Sequence, residues 1–206
     1  MKKAFITLTA SFLLLYAANA QKKSQIGFTA GGTLANYQFK DNSGDQTANA
    51  KTGFTAGLIA NMPTGKNFMI QPGINWVQKG SKDEENGEKI SIVTSHIEVP
   101  VNFLYTSNRG FFIGGGPSAS FAVSGKAKAG DLSAKIHFGN SSDDVMKGFD
   151  IGANVLTGYQ SPKGFLVAAN FNQGLSNLAP SDGSNSSMKS AYFGLKVGYV
   201  LKGKRS

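Results

Sequence analysis

The sequence predicts an all-β fold: an eight-stranded antiparallel transmembrane β-barrel of up-and-down topology. Three observations carry this prediction. Apolar and polar residues alternate with period two along eight segments. Long and short connections between those segments strictly alternate. Aromatic residues stand on the apolar face beside the short connections, as at a membrane interface.

Residues 1–20 read as a secretory signal peptide. Lys2 and Lys3 precede an apolar stretch from Ala4 to Ala18, and Ala18-Asn19-Ala20 is a small-residue cleavage motif. Cleavage between Ala20 and Gln21 leaves residues 21–206 as one barrel domain, exported through this leader to the outer membrane of a Gram-negative cell envelope. The stretch is too short, and its exit too polar, for a membrane anchor. With no cysteine, the chain carries neither a lipidated N-terminal Cys nor a disulfide. It has 21 basic and 12 acidic residues, and 19 against 12 once Lys2 and Lys3 are removed. No dense basic run is interleaved with aromatics, so the charge does not point to nucleic acid. It suits anionic lipid headgroups better. No apolar run is long enough for a spanning helix, which leaves a closed barrel as the way to cross lipid.

Taken in order, the strands are these. Ile26, Phe28, Ala30 and Leu34 alternate with Gln25, Gly27, Thr29 and Thr33. Phe54, Ala56, Leu58, Ala60 and Met62 alternate with Thr55, Gly57 and Asn61. Phe68, Ile70, Pro72, Ile74 and Trp76 alternate with Gln71, Gly73, Asn75 and Lys79. Val93, Ile97, Val99, Val101, Phe103 and Tyr105 alternate with His96, Glu98, Pro100 and Asn102. From Phe111, Phe149 and Phe165 the odd positions are mostly apolar, opposed by residues such as Ser118, Asp150, Asn154, Asn170 and Asn172. The last strand sets Phe193, Leu195, Val197 and Tyr199 against Tyr192, Gly194 and Lys196. Pro72 and Pro100 each remove a ladder donor, so they are expected at bulges or at tolerant positions. This parity predicts that Val197→Arg costs more than Tyr192→Arg.

Long polar connections are expected at 36–52, 80–89, 125–148 and 176–189. Short ones are expected at Pro63-Thr64-Gly65-Lys66-Asn67, Thr106 to Gly110 and Ser161-Pro162-Lys163-Gly164. In outer-membrane barrels tight turns face the periplasm and long loops face outside. Phe68, Tyr105, Phe111, Tyr159, Phe165 and Tyr199 then form a periplasmic aromatic girdle, with Trp76 and Phe121 toward the other end.

With these strands in place the chain resembles the PorT-type, porin-like outer-membrane β-barrel family. The resemblance lies in Phe68-Met69-Ile70-Gln71-Pro72-Gly73 running to Val77-Gln78-Lys79-Gly80, and in His96-Ile97-Glu98-Val99-Pro100-Val101. It continues in Gly114-Gly115-Gly116-Pro117 and in Asn172-Gln173-Gly174-Leu175-Ser176-Asn177. It implies a barrel handled by the outer-membrane assembly machinery, for which Gly194-x-x-Val197-x-Tyr199 looks like the terminal strand signal. Members usually end on an aromatic, whereas this chain continues through a basic tail, Lys202 to Ser206.

The polar face places His96, Glu98, Asn102, Asp150, Asn154, Asn170 and Lys196 in the lumen. His96 and Glu98 have the types of an acid–base pair. A space-filling network of charges and hydrogen bonds accounts for them better, because eight strands leave room only for side chains. The apolar face offers no His, Asp or Glu for lipid chemistry, so no enzyme is expected. Gly114-Gly115-Gly116 lacks the helix and Lys-Ser/Thr of a phosphate cradle. Asp41 to Asp45 and Asp143-Asp144 lack calcium-loop spacing, and the sequons at Asn140 and Asn185 carry little meaning in a bacterium. No cofactor or metal is expected. Two functions remain: a structural or surface-interaction barrel that binds an extracellular ligand through loops 36–52 and 125–148, or a narrow porin-like channel for small solutes.

Overall fold

The computed structural model describes residues 24–41, 44–85, 88–130, 132–140, 144–180 and 186–201. The expected signal peptide, its expected cleavage position at Ala20 and Gln21, Asp143, Asn185 and the basic tail lie outside the described residues.

The period-two segments form long strands: β1 (Gln25–Asp41), β3 (Asn49–Pro63), β4 (Phe68–Glu85), β5 (Glu88–Thr106), β6 (Phe111–Ala129), β8 (Phe149–Gln160), β9 (Phe165–Gly174) and β10 (Ser187–Val200). Two short strands, β2 (Gly44–Thr47) and β7 (Leu132–Lys135), stand beside β1 and β6. Each long strand pairs antiparallel with the next. β10 returns to β1 from Gly27↔Val200 to Lys40↔Ser187, which closes an eight-stranded barrel. Closure matters because an open edge cannot be satisfied in lipid.

Local chemistry sets the short turns. Ser107-Asn108-Arg109-Gly110 and Ser161-Pro162-Lys163-Gly164 are built alike. In each, the serine Oγ accepts from the first amide of the next strand, Phe111 N at 3.1 Å and Phe165 N at 3.0 Å. Each ends on a glycine in the left-handed region, with φ 91° at Gly110 and 102° at Gly164, where a side chain would be strained.

The outer wall is apolar and exposed. Phe28, Leu58, Phe103, Val155, Phe165 and Val197 are all roughly half or more exposed, far beyond what a water-soluble surface carries as one continuous patch. Two aromatic rings bound it. Near the short turns, Phe68 packs on Tyr105, Phe111 on Tyr159 and Phe165 on Tyr199, with centroids 5.6, 5.0 and 5.3 Å apart. Toward the other end, Phe54 meets Trp76 at 4.5 Å and Phe121 meets Phe149 at 5.0 Å. On β6 and β8 the two rings are ten residues apart. That is about 33 Å along a strand and about 25 Å along the membrane normal at a tilt of about 40°, the height of an outer-membrane apolar band.

The connections depart from the sequence reading, and the prolines decide between its alternatives. The connections expected at 36–52 and 80–89 are largely strand, and the one expected at 125–148 is strand at 125–129 and 132–135. β1 hydrogen-bonds to β2, the β4–β5 ladder runs on to Glu85↔Glu88, and β6 pairs with β7. Backbone groups keep pairing beyond the membrane, where lysines face outward and Ile92 and Ala127 inward, the reverse of the parity within it. In the connection 176–189, strand β10 begins at Ser187. Of the two alternatives expected for Pro72 and Pro100, the bulge is not seen. Partnering of β4 with β5 lapses at Gly73-Ile74 opposite Val99-Pro100 and resumes in the same register, whereas the register shifts lie between Ala50 and Thr55 and between Ser95 and His96.

The lumen is stratified. Near the short turns an apolar floor joins Ile59, Leu104, Phe112, Leu156, Leu166, Ala168 and Val200. Gly158 makes room for it, since a Cβ there would lie 2.5 Å from Phe112 Cζ. At the opposite end an apolar roof joins Tyr37, Ile136, Met146, Leu178, Ala179 and Met188.

Candidate functional site

Between floor and roof lies a polar layer. Its centre is Glu98, 1% exposed. Tyr192 donates its hydroxyl to Glu98 Oε1 at 2.6 Å, and Lys79 Nζ lies 3.8 Å from Glu98 Oε2. The same ammonium reaches Ser190 Oγ at 3.4 Å and lies 5.4 Å from the centroid of the Tyr192 ring. Ser190 in turn donates to Asp150 Oδ2 at 2.9 Å, and Asp150 Oδ1 accepts from Ser176 N at 3.3 Å. One lysine therefore links two carboxylates that come from β5 and β8, which suits buried charges that must be paired.

A second chain is made of amides. Asn170 Nδ2 donates to Asn154 Oδ1 at 3.1 Å, and Asn154 Nδ2 to Asn102 Oδ1 at 2.8 Å. A third spans the mouth near the short turns: Gln71 donates to Asn61 at 2.9 Å and Asn61 to Gln160 at 3.0 Å. The planar amide both donates and accepts, so such relays cross a narrow lumen without net charge.

All seven residues assigned to the lumen from the sequence lie on the inward side. Glu98, His96, Asn102, Asp150, Asn154 and Asn170 are buried, and Lys196 is half-buried where it lines a cavity of about 40 Å³ together with Glu98 and Asn170. They do not act as one group. His96 Nε2 is 2.9 Å from Thr94 Oγ1, and Glu98 takes its hydrogen bond from Tyr192. The described contacts therefore assemble no His96–Glu98 acid–base pair. The sequence reading left out Lys79, Ser190, Tyr192, Tyr37 and Thr94. Lys79 was visible as a charge on a polar face. Tyr192 was placed on the inward face, with Tyr192→Arg expected to cost less than Val197→Arg. It is 1% exposed and bonded to Glu98, so Tyr192→Arg would break a buried contact, which counts against that ranking. Among the described residues, no group of His, Asp or Glu is arranged to hold a metal ion.

The cavity holds a few water-sized molecules at most, since each needs about 10–15 Å³ on this measure. Ile59, Phe112, Leu156, Leu166 and Ala168 of the floor line it on one side. The roof is reinforced by backbone bonds: Lys147 N to Leu178 O at 2.8 Å, and Leu178 N to Met188 O at 2.7 Å. Above it stand the β1–β2, β4–β5 and β6–β7 arms, a crown that is tall over β1 to β7 and low over β8 and β9. The site offers a filled, hydrogen-bonded interior and a strand-built crown.

Comparison with known proteins bears on the fold. Residues 18–179 match the family described as outer membrane protein beta-barrel domain. Among solved structures, the chain is similar to Ail, the attachment invasion locus protein of Yersinia pestis, solved with the heparin analogue sucrose octasulfate. That match has a TM-score of 0.50 and 13% identity, and covers 87% of this chain and 99% of Ail. It is also similar to Neisserial surface protein A (TM-score 0.49, 11% identity, 84% and 96% covered) and to OprG of Pseudomonas aeruginosa (TM-score 0.38, 11% identity, 88% and 97% covered). No curated protein matches the sequence. At these identities the structural likenesses speak for the barrel alone, while the family match spans most of the chain: this protein is a member of the outer membrane protein beta-barrel domain family.

Proposed function

We propose that this chain is an exported, non-enzymatic surface barrel of the PorT type, whose crown binds an extracellular partner. Export rests on Lys2, Lys3 and the Ala18-Asn19-Ala20 motif, and predicts that protein recovered from outer membranes begins at Gln21. The PorT assignment rests on the Gln71-Pro72 and Glu98-Val99-Pro100 stretches. The single observation that carries the function is the filled lumen beneath a built crown. Floor, charge network and roof fill successive levels of the lumen, whereas the β4–β5 and β6–β7 arms extend well past the upper aromatic ring. Between the two rings no described His, Asp or Glu faces outward, which argues against lipid hydrolysis.

Replacing the arms at 36–52 and 125–148 by two-residue hairpin turns tests the reading. The shortened barrel should still fold, with its heat-dependent gel mobility kept, and should lose surface binding to cells or matrix. Binding that survives both replacements overturns the crown as the binding surface.

A narrow channel is the second reading, favoured by the polar cavity beside Lys196. Eight strands ordinarily leave no aqueous pore. Protein in a planar bilayer should therefore show no unitary currents. Stable currents would reverse the order of the two readings.

A further inference from the structure

The outer wall carries a basic patch just above the upper aromatic ring, separate from both the lumen and the crown's tip. The register fixes its layout. Lys126 on β6 is directly opposite Lys135 on β7 and, on its other side, opposite Val93 on β5. In the next row, Lys82, Ser91, Lys128 and Ser133 stand side by side across β4, β5, β6 and β7. The positions between these rows, Ile92 and Ala127, pack against the roof. The lysine rows therefore face away from the lumen, and all four lysines are exposed. Below them on the same face are Phe121 and Val123, exposed and apolar.

Like charges directly opposite each other destabilise a sheet, and their Cβ atoms are only about 4.5–5.5 Å apart. Lys126 and Lys135 hold that arrangement in an exposed arm, with Lys128 and Lys82 one row away. A phosphate monoester carries a charge of about −1.5 to −2 and three acceptor oxygens, which matches two ammonium groups at this spacing. Height selects the source of the phosphate. Lys126 is five residues beyond Phe121, about 16 Å along the strand and about 12 Å above the ring at a tilt of about 40°. From there a lysine stem reaches down along the wall to the headgroup layer.

We propose that Lys82, Lys126, Lys128 and Lys135 form a binding site for the phosphate of an anionic lipid headgroup in the outer leaflet, anchoring the tall side of the barrel. The test uses the full chain in nanodiscs of phosphatidylcholine doped with monophosphoryl lipid A or with the same lipid dephosphorylated. Lipid retained by the barrel is counted by native mass spectrometry. The wild type should retain the phosphorylated lipid at least about tenfold more strongly than the Lys82→Gln/Lys126→Gln/Lys128→Gln/Lys135→Gln variant, and added salt should narrow the gap. The four corresponding Lys→Arg changes should preserve retention. The double variant Lys126→Gln/Lys135→Gln, which touches only exposed positions, should account for most of the loss. Equal retention by wild type and the glutamine variants overturns the proposal, as does retention of the dephosphorylated lipid by the wild type as strong as that of the phosphorylated one. Displacement of the lipid by an equal concentration of soluble sulfated polysaccharide also overturns it, by assigning the patch to an external polymer.

Discussion

The two faces of β8 make an instructive contrast. Phe149, Ile151, Val155 and Tyr159 point outward and are exposed, while Asp150 and Asn154 point inward and are buried. The outward residues meet an apolar solvent without fixed partners, so one hydrophobe serves nearly as well as another. Each inward residue meets a specific partner. Asp150 accepts from Ser190 and from the Ser176 amide, and Asn154 bridges Asn170 and Asn102. The wall is therefore encoded by type and the lumen by identity. Tolerance to substitution should follow that division even between neighbours on one strand.

Glu98 provides the sharpest break. Glu98→Ala removes the acceptor of Tyr192 and the counter-charge of Lys79, leaving an uncompensated cation in the lumen. Loss of about 3–5 kcal/mol is expected, read from urea unfolding of the barrel in lipid vesicles with tryptophan emission from Trp76. The paired change Glu98→Leu/Lys79→Met should recover much of that loss, since two apolar groups replace two charges. Failure to recover would mean that more than pairing is at stake in the layer.

On the wall, charge is the costly change. Val197→Arg places a guanidinium against lipid and should cost about 2–4 kcal/mol if the residue lies near the midplane, while Val197→Leu should be close to neutral. The same two substitutions at a lumen position such as Asn154 should invert the ranking of the leucine change, because its amide relay to Asn102 would be broken. If leucine is equally harmless at both sites, the contrast between type and identity does not hold.

The floor tests whether the lumen is one material. Phe112 packs among Leu104, Leu156 and Leu166, and Phe112→Ala should cost about 3–5 kcal/mol if the site cannot collapse. The smallest effect belongs to the hydroxyl pair beneath the roof. Tyr37 and Thr94 are 2.7 Å apart, and Tyr37→Phe should lower stability by about 1 kcal/mol, raised somewhat by the buried Thr94 partner left behind. Unfolding midpoints in the same vesicles rank all of these.

Much of the wall was legible because its rule is local. Phe68, Tyr105, Phe111, Tyr159, Phe165 and Tyr199 were assigned to one ring from their position beside short turns, and they pair in three aromatic contacts. Inward parity for Glu98, Asn102, Asp150, Asn154 and Asn170 followed from the same period. The partnerships did not. Lys79 and Glu98 lie on adjacent strands, but Tyr192 reaches Glu98 from the far side of the closed barrel, and nothing at either sequence position announces the other. The apolar floor was also hidden, because Ile59, Leu104 and Phe112 stand on the face that reads as polar elsewhere along their strands. The arms escaped notice for a different reason: there the polar residues face outward and Ile92 and Ala127 inward, the reverse of the parity within the membrane.

The sequence alone determined the number of membrane strands, their facing, the alternation of tight and long connections and the level of the aromatic ring. Each of these is set by residues within one strand or one turn against a uniform solvent, lipid on one side and lumen on the other. Tertiary structure decided which lumen residues meet, where the cavity lies, and which lysines align across β4 to β7. Those depend on closure between β1 and β10 and on the register of every ladder between them. A shift of two residues in any ladder would exchange partners across the lumen while leaving the facing of each strand unchanged.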